Sequence, residues 1–242
     1  MKLQSRFDGW SKTGSAVVLA ALLLIMALTA AMSIARIDPS GGQFQPQATH
    51  ASGQEPVGDA ALYRRIATDV AAGKPYYASA ARHHRENSYP LKPFVTVRFP
   101  TLAVLSAWLG PTLTQLAMVM LLAATAYAWH VRMQAMLPGS NAGPWIVGLI
   151  IASGAVLCSG TLLTFHESWA AMLIALSLAL WRPGYIASRF LAASVIAGLA
   201  AALFRDLAIP YLCLMAGAAL IERRWREASA WTSAIAVVAV LL

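Results

Sequence analysis

Long apolar runs that contain no charged side chain constrain the fold of this chain more than any other feature. The first run covers residues 15–35 and is followed by a long polar segment. Five further runs cover residues 112–129, 145–165, 168–181, 190–204 and 207–221. A helix needs roughly 20 apolar residues to cross a bilayer, because each residue adds only about 1.5 Å. The pattern predicts an all-α, polytopic helical membrane protein.

A last apolar run begins near Ala228 and is still apolar at Leu242. Counting it, the sequence predicts about seven transmembrane helices, with the last span incomplete or the chain a piece of a longer protein. Only 12% of the residues are charged, whereas a soluble domain has about a quarter. Cys158 and Cys213 lie in apolar runs without a CxxC partner, so we expect both to be buried structural side chains.

The basic residues indicate the orientation of the chain. The net charge is +8, but membrane proteins concentrate Lys and Arg in their cytoplasmic loops, and no basic block with interleaved aromatic residues indicates a nucleic-acid partner. With the N-terminus inside, the short outer loops hold only Arg205, whereas the inner loops hold nine basic residues, namely Lys2, Arg6, Lys12, Arg132, Arg182, Arg189, Arg223, Arg224 and Arg226.

This asymmetry divides the chain into four parts. Residues 1–14 form a cytoplasmic N-terminus, residues 15–35 the first transmembrane helix, residues 36–111 a long extracytoplasmic loop, and residues 112–242 a transmembrane bundle. The first apolar run is longer than the core of a signal peptide, about 7–15 residues, so we expect an uncleaved anchor. The predicted location is the bacterial cytoplasmic (inner) membrane.

The long outer loop contains a predicted interfacial helix at residues 60–72. Asp59 stands at its N-cap position, and Leu62, Ile66 and Val70 share one face, with Arg64, Arg65, Thr68 and Asp69 opposite. Residues 38–58 read as an irregular connection and residues 74–98 as an extended polar segment. Residues 101–109 form either a second interfacial helix or the outer extension of the next span, since nine residues rise only about 14 Å.

Three segments that are distant in sequence then share the outer face. They are the long first loop, the short loop around Glu167 and the short loop around Arg205. Ionisable side chains at the ends of membrane helices are functional more often than on soluble surfaces. We therefore expect Asp59, Glu167 and Arg205 to meet around one cavity.

The order of these motifs resembles the GT-C superfamily of integral-membrane glycosyltransferases, in particular enzymes like the protein mannosyltransferases and aminoarabinose transferases. The matching pieces are Asp59-Ala60-Ala61-Leu62-Tyr63, Gly73-Lys74-Pro75-Tyr76-Tyr77, Tyr89-Pro90, Arg98-Phe99-Pro100, His166-Glu167-Ser168-Trp169 and Arg205-Asp206-Leu207. The resemblance spans most of the chain. It implies an enzyme that moves a sugar from a polyprenyl-phosphate donor to an acceptor on the extracytoplasmic face.

The resemblance also implies roles for two acidic residues. Asp59 takes the position of the first-loop acid that acts as a general base or holds a metal, and Glu167 takes that of a second acid. Relatives often have an adjacent acidic pair where this chain has Asp59-Ala60. This departure leaves open whether a divalent metal is a cofactor.

The substrate-binding candidates follow from the chemistry of the transfer. The leaving phosphate gains charge, and Arg205 suits it because a guanidinium group binds phosphate oxygens in pairs. Tyr63, Arg64 and His166 are the remaining candidates, as residues that shape the pocket. The expected partners are membrane lipid, the polyprenyl-phosphate sugar donor and an acceptor that the sequence does not identify.

Other functions stay open at this point. A transporter or flippase would carry charged or broken helices near the membrane midplane, and a non-catalytic membrane subunit is a further alternative. Asp59 can serve only as a helix cap, Glu167 only as the acid at a helix start, and Arg205-Asp206 only as a local ion pair. His83-His84 with Glu86 is interpreted as a solvated stretch. The sequence has no P-loop, GxGxxG, HExxH or GxSxG motif, which argues against a nucleotide-driven pump or a soluble-type hydrolase.

Overall fold

The computed structural model describes residues 58–87, 89, 97–137, 142–158, 162–182 and 188–241. Within these ranges every regular element is helical and none is a strand, so the all-α prediction is confirmed. The predictions for residues 1–14, for the first membrane helix at 15–35 and for the connection up to residue 57 lie outside the described residues.

The first two helices form a hairpin. Helix α1, Asp59–Ala71, buries Leu62 and Ile66 as its apolar spacing predicts. Gly73 ends the hairpin turn with a φ of 81°, a conformation that glycine adopts without strain. Helix α2, Tyr76–Glu86, packs against α1.

Helix α2 corrects the sequence prediction, which made this segment extended. Ala80 and His84, one helical turn apart, are both buried, and Ala80 belongs to the same apolar cluster as Leu62 and Ile66. Contact with α1 therefore stabilises a helix that the polar composition alone did not indicate.

Helix α3, Thr101–Met136, is interrupted at Gly110, where φ is 70° and ψ is 174°. Pro111 follows and begins the second part, where its missing N–H leaves no helical bond unmade. Residues 101–109 thus form a short helical segment that the break separates from the rest of α3, and both predicted alternatives for this segment stay predictions. Thr101 ties this end of α3 to the end of α6 by donating its hydroxyl to the Leu203 carbonyl at 2.6 Å.

Five more helices complete the described part of the fold. They are α4 (Ala142–Leu157), α5 (His166–Leu180), α6 (Ser188–Phe204), α7 (Ile209–Ile221) and α8 (Trp225–Leu241). Short 3₁₀ turns, Leu162–Thr164 and Asp206–Ala208, precede α5 and α7. Helix α5 packs against α3 and α6, and α8 packs against α6 and α7. Each predicted apolar run after residue 111 therefore contains an α-helix, but the helix of the run at 145–165 ends at Leu157.

Hydroxyl groups join three of these helices inside the apolar core. Ser177 on α5 donates to the Ser194 carbonyl at 2.6 Å, and Ser194 on α6 donates to the Ser177 carbonyl at 2.8 Å. The Tyr211 hydroxyl on α7 lies 2.7 Å from the Ser177 hydroxyl. Both serines are fully buried, so these bonds satisfy groups that would otherwise be costly to bury.

Length and composition qualify α3 alone, among the described helices, as able to cross a bilayer, with a mean hydropathy of 1.5 in its best window. A buried core helix of a soluble protein would also pass this test. Four shorter apolar helices are Pro144–Leu157, His166–Leu180, Arg189–Phe204 and Asp206–Ile221. The number of membrane crossings stays a prediction.

Cys158 is half-buried, but Cys213 is exposed, so the prediction that both cysteines are buried is wrong for Cys213.

The charged side chains gather at two opposite ends of the helices. At the first end, Glu167 and Arg205 lie where α5 begins and α6 finishes. At the second end, where α3 and α5 finish, Arg132 donates to the carbonyl oxygens of Leu178 and Trp181. The Trp181 indole donates there to Glu227, which also pairs with Arg224. The bundle thus places residues of the predicted outer and inner loops at different ends.

Candidate functional site

The centre of the candidate site is a carboxylate held between two arginines. The Glu167 Oε1 atom lies 3.2 Å from Arg98 Nη1 and 3.1 Å from Arg205 Nε. Glu167 occupies the first turn of α5, Arg98 precedes α3, and Arg205 lies between α6 and the following 3₁₀ turn. Arg205 Nη1 also lies 3.4 Å from Asp206 Oδ1. The fold therefore brings Glu167 and Arg205 into direct contact.

Arg98 is the residue that sequence reasoning missed as a site residue. Its guanidinium group lies over the Tyr63 ring, 5.0 Å from the centroid, and its carbonyl accepts a 2.8 Å hydrogen bond from the Tyr76 hydroxyl. Helices α1 and α2 thus both position it. The signal was present in Arg98-Phe99-Pro100, one of the motifs behind the GT-C resemblance.

Asp59 is the first residue of α1, and the N-cap is Gly58. Asp59 thus lies one residue inside the helix and not at the predicted N-cap position. Asp59 Oδ1 accepts a 2.7 Å hydrogen bond from the Tyr89 hydroxyl. Burial, followed by this bond to Asp59, raises the pKa of Tyr89 to about 12, so the phenol stays a donor at neutral pH.

Tyr63 connects Asp59 with the arginine pair. The pKa of Tyr63 is raised to about 12, mainly by burial; the charge of Arg98 opposes the rise, those of Asp59 and Glu167 contribute to it, and that of Arg205 opposes it. Tyr63 therefore lies within the electrostatic field of all four groups. In the described ion pairs, Glu167 contacts Arg98 and Arg205, and Asp59 contacts neither Glu167 nor Arg205.

A cavity of about 530 Å³ adjoins this cluster. It lies between α1, the first part of α3 with its break at Gly110, and the 3₁₀ turn before α5. Tyr63, Arg64 and His166, the three predicted pocket residues, all line it, whereas Asp59, Glu167 and Arg205 are not among its lining residues. The cavity and the charged cluster thus adjoin at two places. Tyr63 lines the cavity and contacts Arg98, and His166 lines the cavity next to Glu167 in the sequence.

His166 is the least satisfied polar group of the cavity wall. Its side chain is 3% exposed, and among the described residues neither ring nitrogen has a hydrogen-bond partner. Its ring packs edge to face against Tyr63, with 4.9 Å between the centroids. Because an unpaired buried polar group costs about 1–3 kcal/mol, a ligand that bonded His166 would recover this energy.

The described side chains do not fit a divalent metal. In these ranges no group of three His, Cys, Asp or Glu side chains is placed to hold one. Glu167, a predicted second acid, is already neutralised by two guanidinium groups, which would repel a cation. We therefore derive no chemical step through a metal.

The prediction that His83, His84 and Glu86 form a solvated stretch is wrong for the two histidines, whereas Glu86 is exposed. His84 is buried, and His83 Nε2 lies 2.8 Å from Asp69 Oδ2 while its Nδ1 lies 3.2 Å from Glu86 Oε2. Asp69, predicted on the polar face of α1, is also buried. The His83–Asp69 contact fastens α2 to α1 and supports the hairpin that positions Arg98, whereas the His83–Glu86 contact lies within α2.

No protein-family model matches the chain, and no curated protein or solved structure is significantly similar to it. The resemblance to the GT-C superfamily therefore stays a prediction from the motifs of the sequence.

Proposed function

We propose that this protein is a membrane glycosyltransferase that moves a sugar from a polyprenyl-phosphate donor to an acceptor on the extracytoplasmic face. The observation that supports this proposal best is the convergence of three distant segments beside one cavity. Arg98, Glu167 and Arg205 are in contact, and Tyr63 links them to the cavity wall. Paired guanidinium groups next to a largely apolar cavity suit a substrate that combines a phosphate with a lipid.

The exposed surface supports a location in the membrane. Large apolar side chains such as Trp108, Trp145, Leu214 and Val240 are between 69% and 86% exposed. Only 28% of the most apolar window of α3 is buried, whereas a soluble protein would bury the apolar face of such a helix. Contact with lipid would account for these exposed faces, and the charges at the two ends would then lie at the two membrane surfaces.

The proposed reaction assigns one role to each residue. As the acceptor hydroxyl oxygen attacks the anomeric carbon, Asp59 takes its proton, and Tyr89 orients the carboxylate by bonding one of its oxygens. The bond between the anomeric carbon and the phosphate oxygen breaks, and the polyprenyl phosphate leaves with the electron pair. Arg98 and Arg205 offset the charge that develops on that phosphate.

The cavity supplies the remaining contacts. Its apolar walls would exclude water from the sugar and the first part of the lipid, while Arg64 and the unpaired nitrogens of His166 would offer hydrogen bonds. Sugar hydroxyl groups are suitable partners for both. The sugar and the acceptor are not determined by these contacts.

A transporter or flippase is the second candidate, because α3 is broken at Gly110 and broken helices are typical of transporters. The break at Gly110 lies close to Thr101, where α3 begins. It is therefore near the proposed outer surface and not midway along the helix. A non-catalytic membrane subunit would keep the fold without the chemistry.

Substitution of Asp59 tests the proposal. We expect Asp59→Asn to lower sugar transfer about 100-fold or more, as for loss of a general base, with glycans profiled by mass spectrometry in cells that carry the variant as their only copy. The matched control is Glu86→Gln, which removes an exposed carboxylate outside the cluster. Unchanged glycans in Asp59→Asn cells, at normal protein level, would instead favour the non-catalytic subunit; altered solute or lipid movement with unchanged glycans would favour the transporter.

A further inference from the structure

We infer that Arg98 and Arg205 together form a phosphate-binding site and that Glu167 is a displaceable occupant of it, supplied by the chain itself. This inference rests on the proposed function in taking the leaving phosphate as the natural ligand. It gives Glu167 a role that differs from the second acid predicted from the sequence. Glu167 would compete with the substrate phosphate instead of taking part in the chemistry.

The geometry places a single oxygen between two cations. Glu167 Oε1 contacts both guanidinium groups, at 3.2 Å and 3.1 Å, in the way that one oxygen of a bound phosphate would. The two arginines come from different parts of the chain, and the Thr101–Leu203 hydrogen bond holds these parts together. The pair is therefore built by the fold and does not depend on Glu167 alone.

The contacts with Glu167 do not satisfy all the N–H donors of the two arginines. The Nε atoms of Arg98 and Arg205 are buried and have no hydrogen-bond partner among the described residues, even though Arg205 Nε lies close to Glu167. A carboxylate oxygen shared by two arginines is a poor match for their parallel N–H groups. A phosphate group, with three oxygens, can bond both arginines at once and satisfy these donors.

The two sides of the ion pair also differ in how firmly they are held. The Arg98 and Arg205 side chains are 16% and 15% exposed, whereas that of Glu167 is 48% exposed. The Arg98 guanidinium group lies over the Tyr63 ring, and the Tyr76 hydroxyl donates to the Arg98 backbone carbonyl. Asp206 contacts Arg205. Among the described residues, the hydrogen bonds and ion pairs of the Glu167 carboxylate go to these two arginines. A competing anion would therefore move Glu167 and leave the arginines in place.

A direct binding measurement tests the inference without requiring sugar transfer. The full chain, purified in detergent, is titrated with inorganic phosphate at constant ionic strength, and binding is followed by calorimetry and by the phosphate-dependent rise in Tm. We expect Glu167→Gln and Glu167→Ala to bind phosphate about three- to tenfold more tightly than the wild type, the range for release of one partly exposed ion pair. Arg98→Gln and Arg205→Gln should bind it at least as much more weakly.

Asp206→Asn is the matched control, because it removes a carboxylate that contacts Arg205 alone, at 3.4 Å. A clearly smaller gain in this variant supports the inference. An equal gain would overturn it, since loss of any nearby negative charge would then suffice. Unchanged or weaker phosphate binding by folded Glu167→Gln would also overturn it. If phosphate binds as expected while Asp59→Asn leaves glycans unchanged, the anion site stands and the glycosyltransferase proposal fails.

Discussion

At the residue scale, Asp69 shows how one buried charge holds the outer hairpin together. Its carboxylate bonds Lys74 at 2.7 Å and also contacts Arg82 and His83. The hydrogen bond from Lys74, reinforced by His83 and Arg82, holds the pKa of Asp69 well below its usual range. Since the folded state favours the ionised form, this stabilisation is present above about pH 4, the pKa of an unfolded Asp, and is lost as the pH falls toward the folded pKa.

Asp69→Asn should consequently change both stability and its dependence on pH. We expect a loss of about 1–2 kcal/mol at neutral pH, a modest value because Lys74 and Arg82 are about half exposed and screened by water. Below pH 4 the difference between wild type and variant should shrink, because the unfolded wild-type chain binds a proton at Asp69 while the folded state keeps this carboxylate ionised. Thermal unfolding followed by circular dichroism between pH 3 and pH 7 measures both effects, and parallel stability curves would contradict this account.

At the element scale, the break in α3 is the feature that shapes the cavity wall. Gly110 lines the cavity and combines a φ of 70° with a ψ of 174°, a backbone region essentially restricted to glycine that costs other residues about 1–3 kcal/mol. A Cβ atom at this position would meet nothing within 4 Å. The requirement for glycine is therefore one of backbone conformation and not of space.

Gly110→Ala should destabilise the protein by about 1–3 kcal/mol, or straighten α3 and reduce the cavity. The matched control is Gly217→Ala within α7, where a Cβ also meets nothing within 4 Å and the backbone is helical. There we expect a gain of about 0.5–1 kcal/mol, because alanine favours the helix. Thermal unfolding of the two variants gives the comparison, and equal effects of the same sign would show that the break does not depend on Gly110.

The elements that the sequence predicted well are those whose signal is local. Apolar runs predicted the helices of the bundle, and the spacing of Leu62 and Ile66 predicted α1. Helix α2 was missed because its stability comes from packing on α1, through residues such as Ala80, and its own sequence is polar. The contact between Arg98 and Glu167 was missed for a related reason, since it joins residues that only the tertiary fold brings together.

Some of the site could nevertheless be anticipated. The outer-face argument predicted that Glu167 and Arg205 would be near each other, and they are in contact. Tyr63, Arg64 and His166 were expected at a pocket, and they line the cavity. The sequence could not reveal that Tyr89 bonds Asp59, because hydrogen-bond partners 30 positions apart leave no periodic pattern.

At the scale of the whole molecule, the separation of charges into two ends makes the orientation testable. Glu86 and Arg226 are both exposed; Glu86 belongs to the predicted outer loop at residues 36–111 and Arg226 to a predicted inner loop. In a background with Cys158→Ser and Cys213→Ser, a membrane-impermeant maleimide should label Glu86→Cys in intact cells. Arg226→Cys should react only after the membrane is permeabilised, because we propose that its end faces the cytoplasm.

The same experiment distinguishes the other arrangements. Labelling of Arg226→Cys in intact cells would reverse the proposed orientation. If neither variant reacts until the cells are opened, the Glu86 end does not face the outside, and an extracytoplasmic site is excluded.

The reciprocal bonds between Ser177 and Ser194 restrict how such a bundle can deform. Because each hydroxyl group donates to the backbone of the opposite helix, sliding α5 along α6 would break both bonds together. A rearrangement that makes room for a bulky lipid would therefore cost less free energy if α5 and α6 kept their relative position.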